Sequence, residues 1–114
     1  IAIAVEVDEG VIAYSSDTRP SQEMAVAFAD TLVLIHEAFS DESLKSLATQ
    51  LGHSTAHEAG EIASASRAGE LILMHPLARF WATPEVLISE AASAFSGTVT
   101  MPRDLDVLTW PRLP

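Results

Sequence analysis

The sequence predicts an α/β arrangement, and two observations favour it. Apolar runs of strand length alternate with stretches that begin and end on helix signals, and the connections between them are short. No repeat, low-complexity tract or linker rich in Pro, Gly and Ser divides the 114 residues. With an apolar content of 48%, the whole chain, 1–114, is expected to form one globular unit.

The first predicted elements are a β-hairpin and a short helix. Residues 1–7 and 11–15 are apolar runs, and an Asp-Glu-Gly turn separates them. Pro20 then opens a helix, because proline is favoured in the first helical turn. The next apolar run, 31–35, predicts a third strand.

The middle of the chain has one unclear segment and one well-marked helix. Residues 39–51 show a mixed, polar pattern with a helical signal at 43–49, and we expect a loop that can move. Thr55 and Glu58 have the spacing of a capping box, and small residues continue this helix until Gly69.

The last third repeats the alternation of strand and helix. A strand ends at Met74, and a helix then runs from Pro84 to a stop at Gly97. Two further strands are predicted at 98–101 and 105–110.

Charge and composition exclude several kinds of site. The 16 acidic and 6 basic residues give a net charge of −10, so RNA binding gains no support from charge. The absence of cysteine excludes disulfides, thiolate zinc sites and cysteine nucleophiles, which leaves His and carboxylate side chains as metal ligands. No apolar stretch approaches the roughly 20 residues that cross a bilayer, so we expect a cytoplasmic protein without a membrane partner.

Four short polar motifs each fall where a predicted strand gives way to a loop or a helix. They are Ser16-Asp17-Thr18, His36-Glu37-Ala38-Phe39, Gly52-His53-Ser54-Thr55 and His75-Pro76. Because ligands of α/β proteins gather outside the carboxyl ends of strands, these motifs could share one crevice. Taken alone, Asp17 is more simply explained as a turn residue that caps a helix, and His75 as a structural histidine.

In order and spacing, these motifs and the following Leu77-Ala78-Arg79-Phe80 resemble the C-terminal half of ribonuclease Z-type metallo-β-lactamase-fold hydrolases. The resemblance covers roughly residues 11–108. It implies a four-layer αββα sandwich, of which 1–114 would be the C-terminal half only. It also implies a site for two divalent metal ions, zinc or alternatively manganese, with Asp17 bridging both metals and His75 as a further ligand.

The same resemblance implies roles for the neighbouring residues. His53 matches a histidine beside the scissile phosphate that is not a metal ligand, and Glu37 matches its acidic partner. A carboxylate beside an imidazole favours the cationic form, which a proton donor to a leaving oxygen requires. Arg79, Ser54 and Thr55 are expected to contact the substrate. The alternative is a histidine at a helix start with an unrelated, exposed Glu37.

Two further histidines are expected to have no catalytic role. His36 is interpreted as supporting its loop, and His57 as a residue on a helix surface. The string His57-Glu58-Ala59-Gly60-Glu61 is not the zincin motif, because its fifth residue is not histidine.

The sequence departs from the family at three places. Phe39 stands where the family usually has Thr, and Pro76-Leu77 where it usually has Phe-Ser. The family's principal metal motif, His-x-His-x-Asp-His, does not occur in the chain. The remaining ligands are therefore expected from an N-terminal half or a partner chain, with a homodimer as the expected assembly.

Three hypotheses for function follow. The first is a metal-dependent phosphodiesterase or endoribonuclease of the ribonuclease Z type, which processes tRNA 3′ ends, with the isolated chain inactive. The second is a hydrolase of the same fold that acts on a small ester, lactone, sulfate or cyclic nucleotide, which the acidic surface favours over RNA. The third is a non-catalytic half-domain that serves as an interaction module.

Overall fold

In the computed structural model, which describes residues 1–110, one mixed β-sheet carries helices on one of its faces. The strands are β1 (Ile3–Val7), β2 (Gly10–Tyr14), β3 (Val33–Glu37), β4 (Glu70–Met74) and β5 (Thr98–Thr100). The helices are α1 (Gln22–Ala27), α2 (Lys45–Leu51), α3 (Ala56–Ser66) and α4 (Pro84–Ala92), with 3-10 turns at Glu42–Leu44 and Ala78–Trp81.

The strands lie in the order in which they occur in the chain. β1 pairs with β2 in an antiparallel hairpin, and β2, β3, β4 and β5 pair in parallel. A parallel pair needs a crossover connection, which the helices between these strands provide. The carboxyl ends of β2, β3 and β4 therefore meet at one edge of the sheet, and the predicted α/β class is confirmed.

Two predicted elements differ from the observed ones near the site. The third strand does not stop at residue 35 but continues through Glu37, so that His36 and Glu37 pair with β4 as strand residues. The segment 39–51 is not a plain loop, because a 3-10 turn and α2 occupy most of it. Gly52, with φ of +83°, forms the left-handed end of α2.

One helix boundary and one strand were also predicted wrongly. α3 ends with Arg67 in a left-handed conformation and not at Gly69. Gly69 serves a different purpose, since a Cβ there would lie 2.7 Å from the backbone oxygen of Leu32. The predicted strand at 105–110 is absent, because Leu105 takes a φ of +70° that breaks an extended path.

The hydrophobic core lies between the sheet and α1, α3 and α4. Its strand side chains and its helix side chains are almost completely buried, among them Ala13, Leu34, Leu71, Leu73, Ala59, Ile62, Leu87 and Ala91. α3 and α4 approach so closely that a Cβ on Gly60 would lie 2.4 Å from the backbone oxygen of Ala91. The small residues of α3 therefore permit two helices to pack side by side on one sheet.

The opposite face of the sheet carries no helix among the described residues. It is apolar, and a shallow cavity of about 410 Å³ is lined by Ile3, Val5, Ile12, Tyr14, Ile35 and Met74. Leu108 and Trp110 of the C-terminal segment lie against part of this face. One covered and one bare apolar face is the layer pattern expected for half of a two-sheet sandwich.

None of the helices in residues 1–110 combines the length and the apolar character needed to cross a bilayer.

We expect Gly60→Ala to destabilise the protein, although alanine is the better helix former. The added methyl group meets backbone at Ala91, which cannot move aside as a side chain can, so the free energy of unfolding should fall by about 1–3 kcal/mol. Ala65→Gly on the exposed side of α3 is the control, because it reports helix propensity alone at about 1 kcal/mol. Urea unfolding measures both variants, and a Gly60→Ala protein more stable than the parent would contradict the close helix contact.

The bare sheet face should make the 114-residue chain associate. Val5→Lys places a charge on that face and is expected to reduce association and the binding of a hydrophobic dye. Ala4→Lys places the same charge on the opposite face of β1 and should change neither. Sedimentation velocity compares the two variants, and equal association of both would mean that another surface mediates it.

Candidate metal centre

The loop after β2 carries Asp17 to the carboxyl edge of the sheet. Ser15 holds the start of this loop, since its hydroxyl accepts from the Glu37 amide at 3.0 Å and donates to the Ser16 carbonyl at 2.7 Å. Ser16 has a φ of +57°, which turns the chain sharply away from the strand direction. The Asp17 side chain, 52% exposed, follows this turn at the sheet edge.

Glu37, the last residue of β3, has a buried carboxylate that accepts three hydrogen bonds from two loops. The amide of Thr18 donates to its Oε1 at 2.7 Å, and the amide of Ser54 donates to its Oε2 at 3.2 Å. The His53 ring donates from Nδ1 to Oε1 at 2.8 Å. Burial raises the pKa of the Glu37 carboxyl, and the three N–H donors act in the opposite direction.

Two imidazole rings complete the site. The His53 ring stacks on Phe39 with centroids 4.6 Å apart and an interplanar angle of 6°. His75 follows β4 with a φ of +59°, and its Nδ1 lies 3.3 Å from an Asp17 carboxylate oxygen. The centroids of the two imidazole rings are 5.9 Å apart. Side chains from three separate loops thus converge outside the carboxyl ends of β2, β3 and β4.

Asp17, His53 and His75 can present their ligand atoms to a single ion. One ligand atom from each residue lies within 4.8 Å of the others. Two imidazole nitrogens and one carboxylate oxygen are a donor set that zinc takes in catalytic sites with three protein ligands. These residues therefore fit one metal ion.

His53 is open to two interpretations in this geometry. The sequence predicts it as a proton donor and not as a ligand, and the hydrogen bond to Glu37 suits that role. Metal-bound histidines also commonly donate their second ring nitrogen to a carboxylate, so the same bond suits a ligand. Metal analysis of a His53 variant separates the two.

The residues predicted to contact substrate are not among the three whose ligand atoms converge. Ser54 and Thr55 are completely buried, and their hydroxyls donate to the Thr18 carbonyl and to the Glu42 carboxylate. Arg79 is exposed on the second 3-10 turn, with its guanidinium 4.8 Å from the Phe80 ring centroid. A substrate contact by Ser54 or Thr55 stays a prediction that their burial does not favour.

His36 does not support a loop as expected but lies fully buried within β3. Its Nδ1 donates to the Glu37 carbonyl at 2.7 Å, and its Nε2 has no partner in the part of the chain that the structure describes. Burial lowers the pKa of His36 to about 4. His57 lies on the surface of α3 as expected, 3.3 Å from the Glu61 carboxylate.

Sequence and structure comparisons identify known proteins to which this chain is similar. No family model matches the chain. It is 36% identical over 91 residues to the ribonuclease Z of Haloarcula marismortui, which covers 80% of this chain and 29% of that protein. The metallo-beta-lactamase fold protein YhfI from Bacillus subtilis superposes with a TM-score of 0.79 at 27% identity, over 90% of this chain and 41% of that chain. The short form of human tRNase Z superposes with a TM-score of 0.72 at 26% identity, over 97% and 38%.

The chain is similar to ribonuclease Z over most of its length. Its fold is part of the metallo-β-lactamase fold, as the order of the four motifs predicts. It spans about three tenths of the length of the curated relative from Haloarcula marismortui. That residues 1–114 are the C-terminal half of the ribonuclease Z-like fold stays a prediction.

The buried His36 of this ribonuclease Z-like chain should make its stability depend on pH. In the unfolded chain the imidazole has an ordinary pKa near 6.5, whereas in the folded chain its pKa is about 4. The unfolded state therefore binds more protons between these values. Stability is fully present above pH 6.5 and falls as pH drops towards 4, by about 3 kcal/mol in all.

Urea unfolding between pH 4 and 7 tests this pH dependence. His36→Gln removes the titrating group and should flatten the slope over that range, whereas His57→Gln on the α3 surface should leave it unchanged. Equal slopes in the parent protein and in His36→Gln would contradict a neutral, buried His36.

Proposed function

We propose that this chain contributes one side of the two-metal active site of an endoribonuclease that processes tRNA 3′ ends. The observation that carries the proposal is the convergence of Asp17, His53 and His75 above the buried Glu37, in a chain similar to ribonuclease Z. An N-terminal half containing His-x-His-x-Asp-His completes the site, and residues 1–114 supply its C-terminal half.

Asp17 and His75 would hold the metals, which are zinc or manganese. When bound, the ions supply a metal-activated hydroxide and neutralise charge on the phosphoryl oxygens. Asp17 suits a shared ligand because its two carboxylate oxygens sit on a short side chain, on a loop fixed to β3 by Glu37. His75 suits a terminal ligand because it follows β4 directly and its Nδ1 already faces Asp17.

His53 would donate a proton to the leaving oxygen of the RNA. Its Nδ1 is engaged by Glu37, which leaves Nε2 as the ring nitrogen that can serve the substrate. The Glu37 carboxylate accepts this hydrogen bond and thereby orients the ring. Phe39 fixes the plane of the ring by stacking, at the position where the family usually has Thr.

The charge of the chain assigns most RNA contacts to the other half of the protein. With a net charge of −10, this half should repel a phosphate backbone, and Arg19 and Arg79 are the basic residues nearest in sequence to the site. The proposal therefore includes a basic surface on the N-terminal half, a homodimer and a cytoplasmic location. The isolated chain should hydrolyse bis(p-nitrophenyl) phosphate no faster than background.

A second candidate is supported by the same negative charge. A small ester, lactone, sulfate or cyclic nucleotide needs fewer basic contacts than RNA, and the site geometry suits its hydrolysis equally well. Turnover of tRNA precursors against turnover of such small substrates by the intact protein decides between the two. A non-catalytic module would have no His-x-His-x-Asp-His upstream of this chain and no turnover of either.

Variants of the intact protein test the two roles within the site. Asp17→Ala should abolish cleavage of a tRNA precursor and remove bound metal, because both ions lose a shared ligand. His53→Ala should lower turnover by roughly 10²–10⁴-fold and leave the metal content unchanged, because proton transfer alone is lost. Elemental analysis and single-turnover kinetics measure both effects.

His57→Ala is the matched control, since this histidine lies on the surface of α3 and should keep both metal and turnover. Equal metal loss in Asp17→Ala and His53→Ala would make His53 a ligand and remove its role as the proton donor. Full activity of Asp17→Ala would contradict the metal assignment itself.

A further inference from the structure

On the C-terminal side of Asp17, its loop is attached to the rest of the protein through the peptide units on both sides of Thr18. The Thr18 amide donates to the Glu37 carboxylate at 2.7 Å. The Thr18 carbonyl accepts from the Ser54 hydroxyl, also at 2.7 Å. Thr18 follows Asp17 directly, so these two hydrogen bonds fix the backbone from which the Asp17 side chain extends.

Glu37 and Ser54 act on Thr18 as a connected pair. The Ser54 amide donates to the second oxygen of the Glu37 carboxylate at 3.2 Å, while the Ser54 hydroxyl reaches the Thr18 carbonyl. Both side chains are buried, with 1% and 0% exposure, so water does not compete for these bonds. We call this arrangement of Glu37, Ser54 and the Thr18 backbone the Thr18 clamp.

The Asp17 loop is expected to change conformation when the clamp is weakened. Ser16, which precedes Asp17, has a φ of +57°, a conformation that side-chain-bearing residues adopt when their surroundings hold them there. The Asp17 side chain itself is 52% exposed and receives little support from packing. The Thr18 hydroxyl bonds to the Arg19 carbonyl of the same loop. The clamp therefore connects the part of the loop beyond Asp17 to β3, while Ser15 connects its start.

We propose that Ser54 is a positioning residue for the metal centre, and not a substrate contact. Its hydroxyl, together with Glu37, fixes the Thr18 backbone and thereby aims the Asp17 carboxylate at the shared metal position. Residues that orient a metal ligand typically change metal affinity by roughly 10–100-fold when removed. This inference rests on the metal role of Asp17 given in the proposed function.

Ser54→Ala in the intact protein tests the inference, with Ser66→Ala as the matched control. Ser66 is a second completely buried serine, but its hydroxyl bonds to the Ala63 carbonyl within its own helix. Ser54→Ala should weaken zinc binding by roughly 10–100-fold relative to Ser66→Ala, as measured by chelator competition. In metal-free protein, hydrogen exchange of the Thr18 amide should be faster in Ser54→Ala than in Ser66→Ala.

Kinetics at saturating zinc separate positioning from substrate contact. A positioning residue predicts that excess zinc restores most of the lost turnover with KM unchanged. A substrate contact predicts a raised KM that zinc does not correct, with zinc affinity at the parent value, and that result would overturn the inference. Unchanged zinc affinity together with unchanged Thr18 exchange would overturn it as well.

If Ser54→Ala does not fold, Glu37→Gln decides by the same two measurements. The carboxamide has one acceptor oxygen for the three N–H donors that the Glu37 carboxylate now serves, so Thr18 exchange should rise and zinc affinity should fall. No change in either quantity would overturn the clamp.

Failure of the inference can be distinguished from failure of the proposed function. An intact protein that binds zinc but cleaves no tRNA precursor would contradict the function, while the effect of Ser54→Ala on zinc affinity would still be measurable. Cleavage of the precursor with equal zinc affinity in Ser54→Ala and Ser66→Ala would contradict the inference alone. An intact protein that binds no metal would contradict both.

Discussion

The geometry of the site depends on one buried carboxylate. Glu37 is 1% exposed, yet it accepts hydrogen bonds from the Thr18 amide, the Ser54 amide and the His53 ring. A buried carboxylate is tolerated only when hydrogen bonds replace the water it has lost, and here two loops supply them. The same hydrogen bonds that satisfy the Glu37 carboxylate also hold the loop of Asp17 and the loop of His53 in place. The site is thus assembled around an acceptor that is not among the three residues that could hold a metal ion.

The strand order of the sheet brings Glu37 within hydrogen-bond reach of both loops. β2, β3 and β4 are parallel neighbours, so the residues that follow them emerge at the same edge. β3 lies between the other two and extends to Glu37, which puts the carboxylate between the Asp17 loop on one side and His75 on the other. His53 reaches the same edge from the turn between α2 and α3, where Ser40 and Thr55 form a β-bridge. The helices cover one sheet face, and the other remains apolar, in keeping with a layer that packs against a second sheet.

Much of this could be predicted from sequence, and the reasons are local. The hairpin, the capping box at Thr55 and the proline at the start of α4 are short-range signals, and each marks an element that the structure contains. The order and spacing of four motifs carried the metallo-β-lactamase fold, although no single motif is specific. The nearness of Asp17 and His75 followed from their positions after two parallel strands of one sheet, whose carboxyl ends meet at the same edge.

The parts that sequence did not predict depend on tertiary contacts. Sequence did not predict the extension of β3 through His36 and Glu37. Polar residues after an apolar run are typical of an exposed loop unless their hydrogen-bond partners are known. The sequence predicts that Ser54 and Thr55 contact a substrate, but their hydroxyls point into the protein, towards Thr18 and Glu42. The apolar run at 105–110 has the composition of a strand, and its Leu108 and Trp110 instead lie against the bare sheet face. An apolar pattern alone therefore decides neither strand formation nor burial, since Leu105 and Val107 of this run are 98% and 88% exposed.

The central claim is that Asp17 and His75 coordinate the metals of a ribonuclease Z-like centre while His53 stands beside them. Anomalous diffraction at the zinc edge, from crystals of the intact protein, tests it most directly. Two zinc peaks are expected within about 2.0–2.2 Å of the Asp17 carboxylate oxygens, one of them also at that distance from His75. The His53 ring is expected to stay on Glu37 and outside coordination distance. Zinc bound at another edge of the sheet, or no zinc within reach of Asp17, would contradict the account.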